Sequence, residues 1–254
     1  MRFASEKICL VTGAASGLGR ATAMELASRG NIVVIGDTNE AAGKRTAAAI
    51  TDSGGTCIFE HLDVTDGICV KQFVGKIVDR FGRLDCAVNN AGVEGALHKV
   101  EAYPDDEWDR VINVNLTGVF SCMKHELAQM AVQGSGSIVN IGSTGSLKGI
   151  GLMSAYTAAK HALVGLSKTA AIEYGGQGIR VNVLCPGSFR TPMTERLYGG
   201  DESKVAAAMP LGRLAEPQEI AAVAAWLCSD EASFITGATY LADGGRMAGS
   251  TLAA

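Results

Sequence analysis

ICLVTGAASGLGRATAMELASRGNIVVIGD, residues 8–37, is the stretch whose reading decides the fold. Ile8 to Val11 is a short apolar run that breaks into the turn Thr12-Gly13-Ala14-Ala15-Ser16-Gly17-Leu18-Gly19. A helix-like segment follows to Gly30, and a second apolar run ends in Asp37. Strand, turn, helix and strand within about thirty residues make one βαβ unit, half of a dinucleotide-binding sheet. The spacing Gly13-x-x-x-Gly17-x-Gly19 differs from the commoner Gly-x-Gly-x-x-Gly but meets the same needs. Glycine lets the backbone turn with φ > 0 and approach a pyrophosphate, and the helix N-terminus offers free N–H groups and the positive end of a dipole. A glycine-rich loop alone also serves as a plain strand-to-helix turn. Asp37 tips the reading: it stands eighteen residues past Gly19, near the ~20 expected for a ribose-binding acid.

Asp37 also bears on which dinucleotide is held. A carboxylate accepts from both adenosine ribose hydroxyls but repels a 2′-phosphate, and no Arg or Lys follows within five residues to offset it. NAD(H) is therefore expected rather than NADP(H).

Outward from this unit the alternation repeats. Thr56-Cys57-Ile58-Phe59 leads to Asp63-Val64, and Val70, Phe73, Val74, Ile77, Val78 and Phe81 recur at helical spacing. Leu84 to Val88 then ends in Asn89-Asn90-Ala91-Gly92. Open parallel sheets bind ligands at the carboxyl ends of their strands, where Asp63, Asn90 and Gly92 fall, although Asn, Asp and Gly favour turns in any case. The next helix reads as one apolar stripe: Trp108, Val111, Ile112, Leu116, Val119, Phe120, Met123, Leu127 and Met130. Asn115 interrupts it. A buried amide needs partners, so this residue either satisfies a helix kink or holds an internal water, and one Asn can do both.

Ser137-Ile138-Val139-Asn140-Ile141 is a further strand, with Ser143 at its end. Tyr156 and Lys160 follow, four residues apart in an Ala-rich run, on one face of a helix and one turn apart. These three groups suit proton transfer coupled to hydride transfer. A phenolate near pH 7 costs roughly 4 kcal/mol for a Tyr of ordinary pKa ~10. A Lys ammonium one turn away supplies part of that, and a Ser hydroxyl can hydrogen-bond the substrate oxygen. Tyr-x-x-x-Lys alone is also an ordinary helix face; the surrounding pattern gives it weight.

Ile179 to Leu184 is the next strand, ending in Pro186-Gly187-Ser188-Phe189-Arg190-Thr191-Pro192. Met193, Leu197, Tyr198 and Met209 around Gly199-Gly200 fit a lid over a substrate. Pro217 opens a helix, and Ala238 to Leu241 is a last strand before Asp243-Gly244-Gly245. The expected domain organisation is one domain over 1–254, with a substrate loop at 188–212 and a loose tail from Arg246.

The 254 residues suit a single large α/β domain, and 47% apolar with 19% charged is a globular composition. Net charge is −4 without a basic run, so neither nucleic acid nor an anionic membrane is an expected partner. The 7 cysteines are scattered with no Cys-x-x-Cys pair, which fits a reduced, cytoplasmic protein without structural zinc; metal is expected at no site. Met1 to Lys7 reads as no signal peptide, and no apolar run reaches the ~18 residues of a membrane span.

Taken together, the glycine loop, Asn89-Asn90-Ala91-Gly92, Asn115, Ser143, Tyr156-x-x-x-Lys160 and Pro186-Gly187 resemble the short-chain dehydrogenase/reductase family over essentially the whole chain, Thr12 to Gly245. The resemblance implies a Rossmann-type doubly wound parallel sheet of about seven strands with helices on both faces. It implies a catalytic tetrad: Tyr156 as general acid/base, Ser143 on the reacting oxygen, Lys160 on the Tyr pKa and the nicotinamide ribose, and Asn115 positioning a water. It also puts Ser16, Leu18, Asp63, Val64, Asn90, Phe189 and Thr191 at the cofactor, beside Gly13, Gly17, Gly19, Asp37, Gly92, Pro186 and Gly187. Phe189 where Ile or Val is usual and Gly142 where Ser is common depart from the family pattern.

The expected activity is NAD-dependent oxidation of a secondary alcohol or reduction of the ketone. A 3-oxoacyl carrier-protein reductase is the alternative, opposed by Asp37 because that role usually takes NADPH. A non-catalytic NAD-binding scaffold is the reading from another class, opposed by the complete tetrad. Leu147, Leu152, Met153, Met193, Leu197 and Tyr198 are the candidate substrate lining. The small residues Ala158, Ala162 and Gly165 on the Tyr–Lys helix, with the family's habit, point to a homotetramer or homodimer.

Overall fold

Seven parallel strands lie in the order β3-β2-β1-β4-β5-β6-β7 in the computed structural model, which describes residues 5–199 and 201–249. The strands are β1 (Ile8–Thr12), β2 (Ile32–Asp37), β3 (Thr56–His61), β4 (Cys86–Asn89), β5 (Gly136–Ile141), β6 (Ile179–Pro186) and β7 (Thr239–Ala242). The helices are α1 (Gly17–Ser28), α2 (Glu40–Asp52), α3 (Gly67–Phe81), α4 (Asp105–Ile112), α5 (Gly118–Gln133), α6 (Ser154–Tyr174), α7 (Pro192–Tyr198), α8 (Ser203–Ala207) and α9 (Pro217–Cys228). The chain runs outward from β1 to β3, returns to β4 beside β1, and runs outward again to β7. That reversal opens a crevice at the carboxyl ends of β1 and β4, where such sheets bind ligands.

The central strands are apolar without alternation because both faces are covered, as parallel sheets require. On one face Leu18, Leu26, Ile220 and Leu227 of α1 and α9 pack on Val11, Ile35 and Val139. On the other, Phe73 and Ile77 of α3, Met123 and Leu127 of α5 and Leu163 of α6 pack on Leu10, Val34 and Ile138. Helix ends follow local chemistry. Asp66 accepts the Ile68 and Cys69 N–H groups at the start of α3, which stops at Gly82 with φ of 74°. Thr191 caps α7, whose first residue is Pro192. At α1 the N-cap residue Ser16 makes no side-chain bond, so the first N–H groups of that helix stay open toward the crevice.

The single helix expected through Trp108 and Met130 is two, α4 and α5, joined by a π-helical stretch at Asn113–Thr117. The inserted residue rotates the helix face, so Trp108 (40% exposed) and Phe120 (51%) lie on the surface, outside the core stripe to which their spacing assigns them. The tail also differs from expectation at its start. The Met247 N–H donates to Asp243 Oδ2 (2.8 Å) and Arg246 Nη1 to Ser188 Oγ (3.2 Å), tying these residues to the ends of β7 and β6.

Candidate active site

The glycine loop is built by close approach. At Gly13 (φ 65°) a Cβ would sit 2.8 Å from Ala91 Cα, and at Gly19 it would collide with Gly13 O. The Thr12 hydroxyl oxygen accepts from the Asn90 and Ala91 N–H groups (both 3.0 Å), and Asn90 Nδ2 donates to Thr12 O and Gly13 O (both 3.0 Å). The Asn90 side chain therefore braces the loop, while its backbone and Gly92 form the crevice wall. Asp37 Oδ2 accepts from Ala15 N–H (2.9 Å) and Oδ1 from Asn39 N–H (2.9 Å), which fixes the carboxylate at the loop's edge. Asp63 holds its own turn through Thr65, and Val64 is buried against Gly118, where a Cβ would lie 2.8 Å from Val64 Cγ2. Open helix N–H groups, a backbone without side chains and a half-buried acid fit a dinucleotide's pyrophosphate and ribose.

Lys160 is 4% exposed, and its Nζ donates to Ile141 O at 2.7 Å. The same Nζ stands 5.7 Å from the Tyr156 ring centroid, one helical turn away. Burial, with no carboxylate paired to it, pulls the Lys160 pKa down to about 8. Ile141 ends β5 two residues before Ser143, so this one bond ties the strand that carries Ser143 to the helix that carries Tyr156. Ser143 Oγ accepts the Gly145 N–H (3.0 Å), leaving its hydroxyl proton to donate.

Asn115 is fully buried in the π-helical stretch, and its amide grips one residue. The Val93 N–H donates to Asn115 Oδ1 and Asn115 Nδ2 donates to Val93 O, both at 2.8 Å. The kink reading of Asn115 stands, with a partner that its spacing did not reveal. A Cβ at Gly92 would be 3.1 Å from Asn115 Oδ1 and 3.7 Å from Lys160 Nζ, so Gly92, Asn115 and Lys160 converge.

The departures from the family pattern have local causes. A Cβ at position 142 would lie 2.8 Å from each of Cys185 Sγ, Ser146 Oγ and Val183 Cγ1, so the space of the usual Ser is already filled. Phe189 packs on the core face shared by α1 and α9 and bridges to Ala215. Gly187 lies against Asp243, whose Cα would be 2.7 Å from a Cβ there, which pins Pro186-Gly187 to the end of β7. Thr191 caps α7, and its Cγ2 would be 3.4 Å from a Cβ on Gly17, so the lid's first turn reaches the glycine loop.

Of the candidate lining, Met153 is buried, Met193 and Leu197 are half-buried and Leu147 and Leu152 are exposed; the Tyr198 side chain and Gly200 lie outside the described residues. Leu152 has φ of 67°, the one positive value outside glycine among the described residues, and it sits beside Met153 at the start of the Tyr156 helix. A cavity of about 450 Å³ beside Ser188, Met209 and Ile220 includes none of the six. Thr12 and Val93 are the site-shaping residues that the sequence did not single out, and the positive φ of Leu152 was likewise not legible there. Only Thr12, a polar residue closing an apolar strand, left a signal there.

A family model described as "Enoyl-(Acyl carrier protein) reductase" matches residues 13–246. Cis-4-hydroxycyclohexanecarboxylate dehydrogenase of Sinomonas cyclohexanicum is 42% identical over 96% of this chain and 98% of its own. Cyclohexanol dehydrogenase of Acinetobacter sp. (strain SE19) is 40% identical over 94% of each. The crystal structure of levodione reductase superposes with a TM-score of 0.94 at 38% identity, covering 98% of this chain and 100% of that one. Two similar structures differ in nucleotide: NAD+-bound xylitol dehydrogenase (TM-score 0.89, 33% identity, 94% and 98% covered) and a putative gluconate 5-dehydrogenase from Beutenbergia cavernae with bound NADP at low occupancy (0.92, 34%, 97% and 99%).

Fold, crevice and relatives define a nicotinamide-dependent oxidoreductase that moves a hydride between its cofactor and an alcohol or ketone. The chain belongs to the short-chain dehydrogenase/reductase family.

Proposed function

We propose that this chain oxidises a secondary alcohol on a small, largely apolar ring, or reduces the matching ketone, with NAD(H), and that Tyr156 is its general acid/base. The observation that carries the proposal is the buried Lys160 ammonium, unpaired with any carboxylate and one turn from Tyr156. Its charge favours the phenolate over the phenol, and low dielectric strengthens the effect. A bound nicotinamide would supply the hydride acceptor for oxidation of the carbinol carbon and the hydride donor for reduction of the carbonyl. Tyr156 takes the hydroxyl proton in oxidation and gives it back in reduction. The Ser143 hydroxyl donates to the same substrate oxygen, and Lys160 holds the nicotinamide ribose as well as the Tyr pKa. Asn115 fixes the loop at Val93 and positions the water that links Lys160 to solvent.

Gly13, Ser16, Gly17, Leu18 and Gly19 would hold the pyrophosphate, Asp37 the adenosine ribose, and Asp63, Val64, Asn90 and Gly92 the adenine and ribose walls. Pro186, Gly187, Phe189 and Thr191 would flank the carboxamide. The carboxylate at Asp37 favours NAD over NADP; the nearest cation downstream, Lys44, is paired with Glu40 at 2.9 Å. Ring substrates are supported by the names of the cyclohexanol, cis-4-hydroxycyclohexanecarboxylate and levodione relatives. The 188–212 segment serves as the substrate loop of the single domain, and seven unpaired cysteines fit a reducing cytoplasm.

The test is NADH formation at 340 nm across cyclic alcohols, with NAD and NADP in parallel. Turnover should prefer NAD, and Tyr156→Phe should lower kcat by roughly 10²–10⁴ while NAD still binds. Near-normal turnover of that variant, or a clear NADP preference, defeats the respective part. A homotetramer is proposed because Trp108 and Phe120 leave apolar side chains exposed on α4 and α5, the helices packed against the α6 that carries the small residues Ala158, Ala162 and Gly165. Light scattering giving a monomer mass refutes it.

A further inference from the structure

The loop 91–98 that follows β4 forms one wall of the crevice and is held at both ends. Asn115 grips Val93 through its N–H and C=O, and the His98 N–H donates to Leu152 O at 3.0 Å, beside the start of the Tyr156 helix. Between these anchors stands Glu94. Its Oε1 accepts from Arg196 Nε at 2.8 Å and lies 2.7 Å from Arg196 Nη2, across 102 residues of sequence. Arg196 belongs to the last turn of α7, the helix that opens the 188–212 segment.

The far ends of that segment are fixed elsewhere. At its start Thr191 lies against the glycine loop, and Arg190 pairs with Glu202 (3.1 Å) and with Glu216 at the head of α9. These contacts anchor the root of α7 on its own side of the crevice. Among the described residues the Glu94–Arg196 pair joins the tip of α7 to the opposite wall. The Glu94 side chain is 21% exposed and that of Arg196 61%, so the pair is partly screened yet open to water on one flank. A contact of that kind makes and breaks readily.

We propose that Glu94 and Arg196 are a clasp: positioning residues that hold α7 closed over the substrate and release it between turnovers. The clasp rests on the reading of 188–212 as a substrate loop. Glu94 adjoins Val93, so the clasp draws on a loop that Asn115 already holds in place. Neither residue touches the reacting atoms, so the effect falls on substrate retention and not on the proton-transfer step.

The experiment compares the wild type with Glu94→Gln, Arg196→Gln and the charge swap Glu94→Arg with Arg196→Glu, all in the full chain with NAD present. Amide hydrogen exchange of residues 192–199 is measured together with steady-state kinetics at low and high salt. In each single variant, exchange over α7 and the substrate KM should rise about two- to fivefold, with kcat and NAD affinity little changed. The swap should restore both, and rising salt should weaken substrate binding in the wild type but not in the single variants. Unchanged α7 exchange, or an unaltered KM despite faster exchange, overturns the clasp. Absence of turnover in the wild type strikes instead at the proposed activity, while the exchange data still report whether the pair holds α7.

Discussion

Lys160 carries its charge where charge is least favoured. Desolvation brings its pKa from 10.5 to about 8, which at ~1.4 kcal/mol per unit is a cost of about 3 kcal/mol to the folded state. The sign follows from proton counting. Below pH 8 the lysine is charged in both states and the whole cost is present. Between about 8 and 10.5 the unfolded chain holds the proton and the folded one does not, so stability rises with pH there. Lys160→Met keeps most of the packing and removes the charge. It is expected to stabilise the protein at pH 7 by about 1–3 kcal/mol, raising Tm by several degrees, while turnover collapses. Thermal unfolding and NADH formation on the same sample check both halves. A lower Tm would mean that the bond to Ile141 O outweighs desolvation. Sequence alone identified Lys160 by its spacing from Tyr156, but its isolation from carboxylates is a property of three-dimensional neighbours. The same holds for Gly142, whose reason is the bulk of Cys185 and Ser146 packed against it.

At the scale of elements, what was legible followed from period. The inner strands β1, β4, β5 and β6 are buried, largely apolar runs, and α3 and α9 show their faces at every third or fourth position. The ligand-binding edge was legible because the runs that form β1 and β4 end in a glycine-rich turn and in Asn89-Asn90-Ala91-Gly92, while the reversal of strand order between them is visible only in the fold. Only the kink reading of Asn115 pointed to the break between α4 and α5, since the apolar spacing otherwise continues unbroken across the π-helical stretch. A helix read at 3.6 residues per turn cannot reveal where one residue is inserted; the two Val93 bonds that stabilise the insertion come from a loop 22 residues away. The contacts that position α7 were hidden for the same reason. Arg190, Arg196 and Thr191 look like ordinary residues of a polar segment, and their partners Glu216, Glu94 and Gly17 meet them only after the sheet has closed. Local propensity therefore determines which elements form, while the crevice walls depend on pairs that no local pattern contains.

Among the described residues one acid, on α5, is fully buried with no charged partner. Glu126 of α5 is fully buried, and its Oε2 accepts from Asn89 Nδ2 at 3.0 Å. Asn89 Nδ2 also donates to its register partner Asn140 (3.0 Å), Asn140 Nδ2 donates to Ser167 Oγ (2.8 Å), and Ser167 donates to Leu163 O (2.7 Å). Within this run of hydrogen bonds two buried acceptors have no partner, Glu126 Oε1 and Asn89 Oδ1. A proton on Glu126 supplies the missing donor, and burial pushes its pKa up to about 8 from 4.5. Above pH 4.5 the unfolded chain gives up this proton while the folded one keeps it. The contribution of Glu126 is therefore most favourable below 4.5, declines as pH rises through the interval, and levels off above about 8. At ~1.4 kcal/mol per unit the full span is up to about 5 kcal/mol. Glu126→Gln keeps an acceptor and a permanent N–H donor and has nothing to titrate. Urea unfolding of the two proteins from pH 5 to pH 9 should show the variant gaining on the wild type with each unit up to about 8, then running level with it. Parallel stability curves across that range would mean that Glu126 is ionised in the fold and that the polar chain between β4, β5, α5 and α6 tolerates a bare carboxylate.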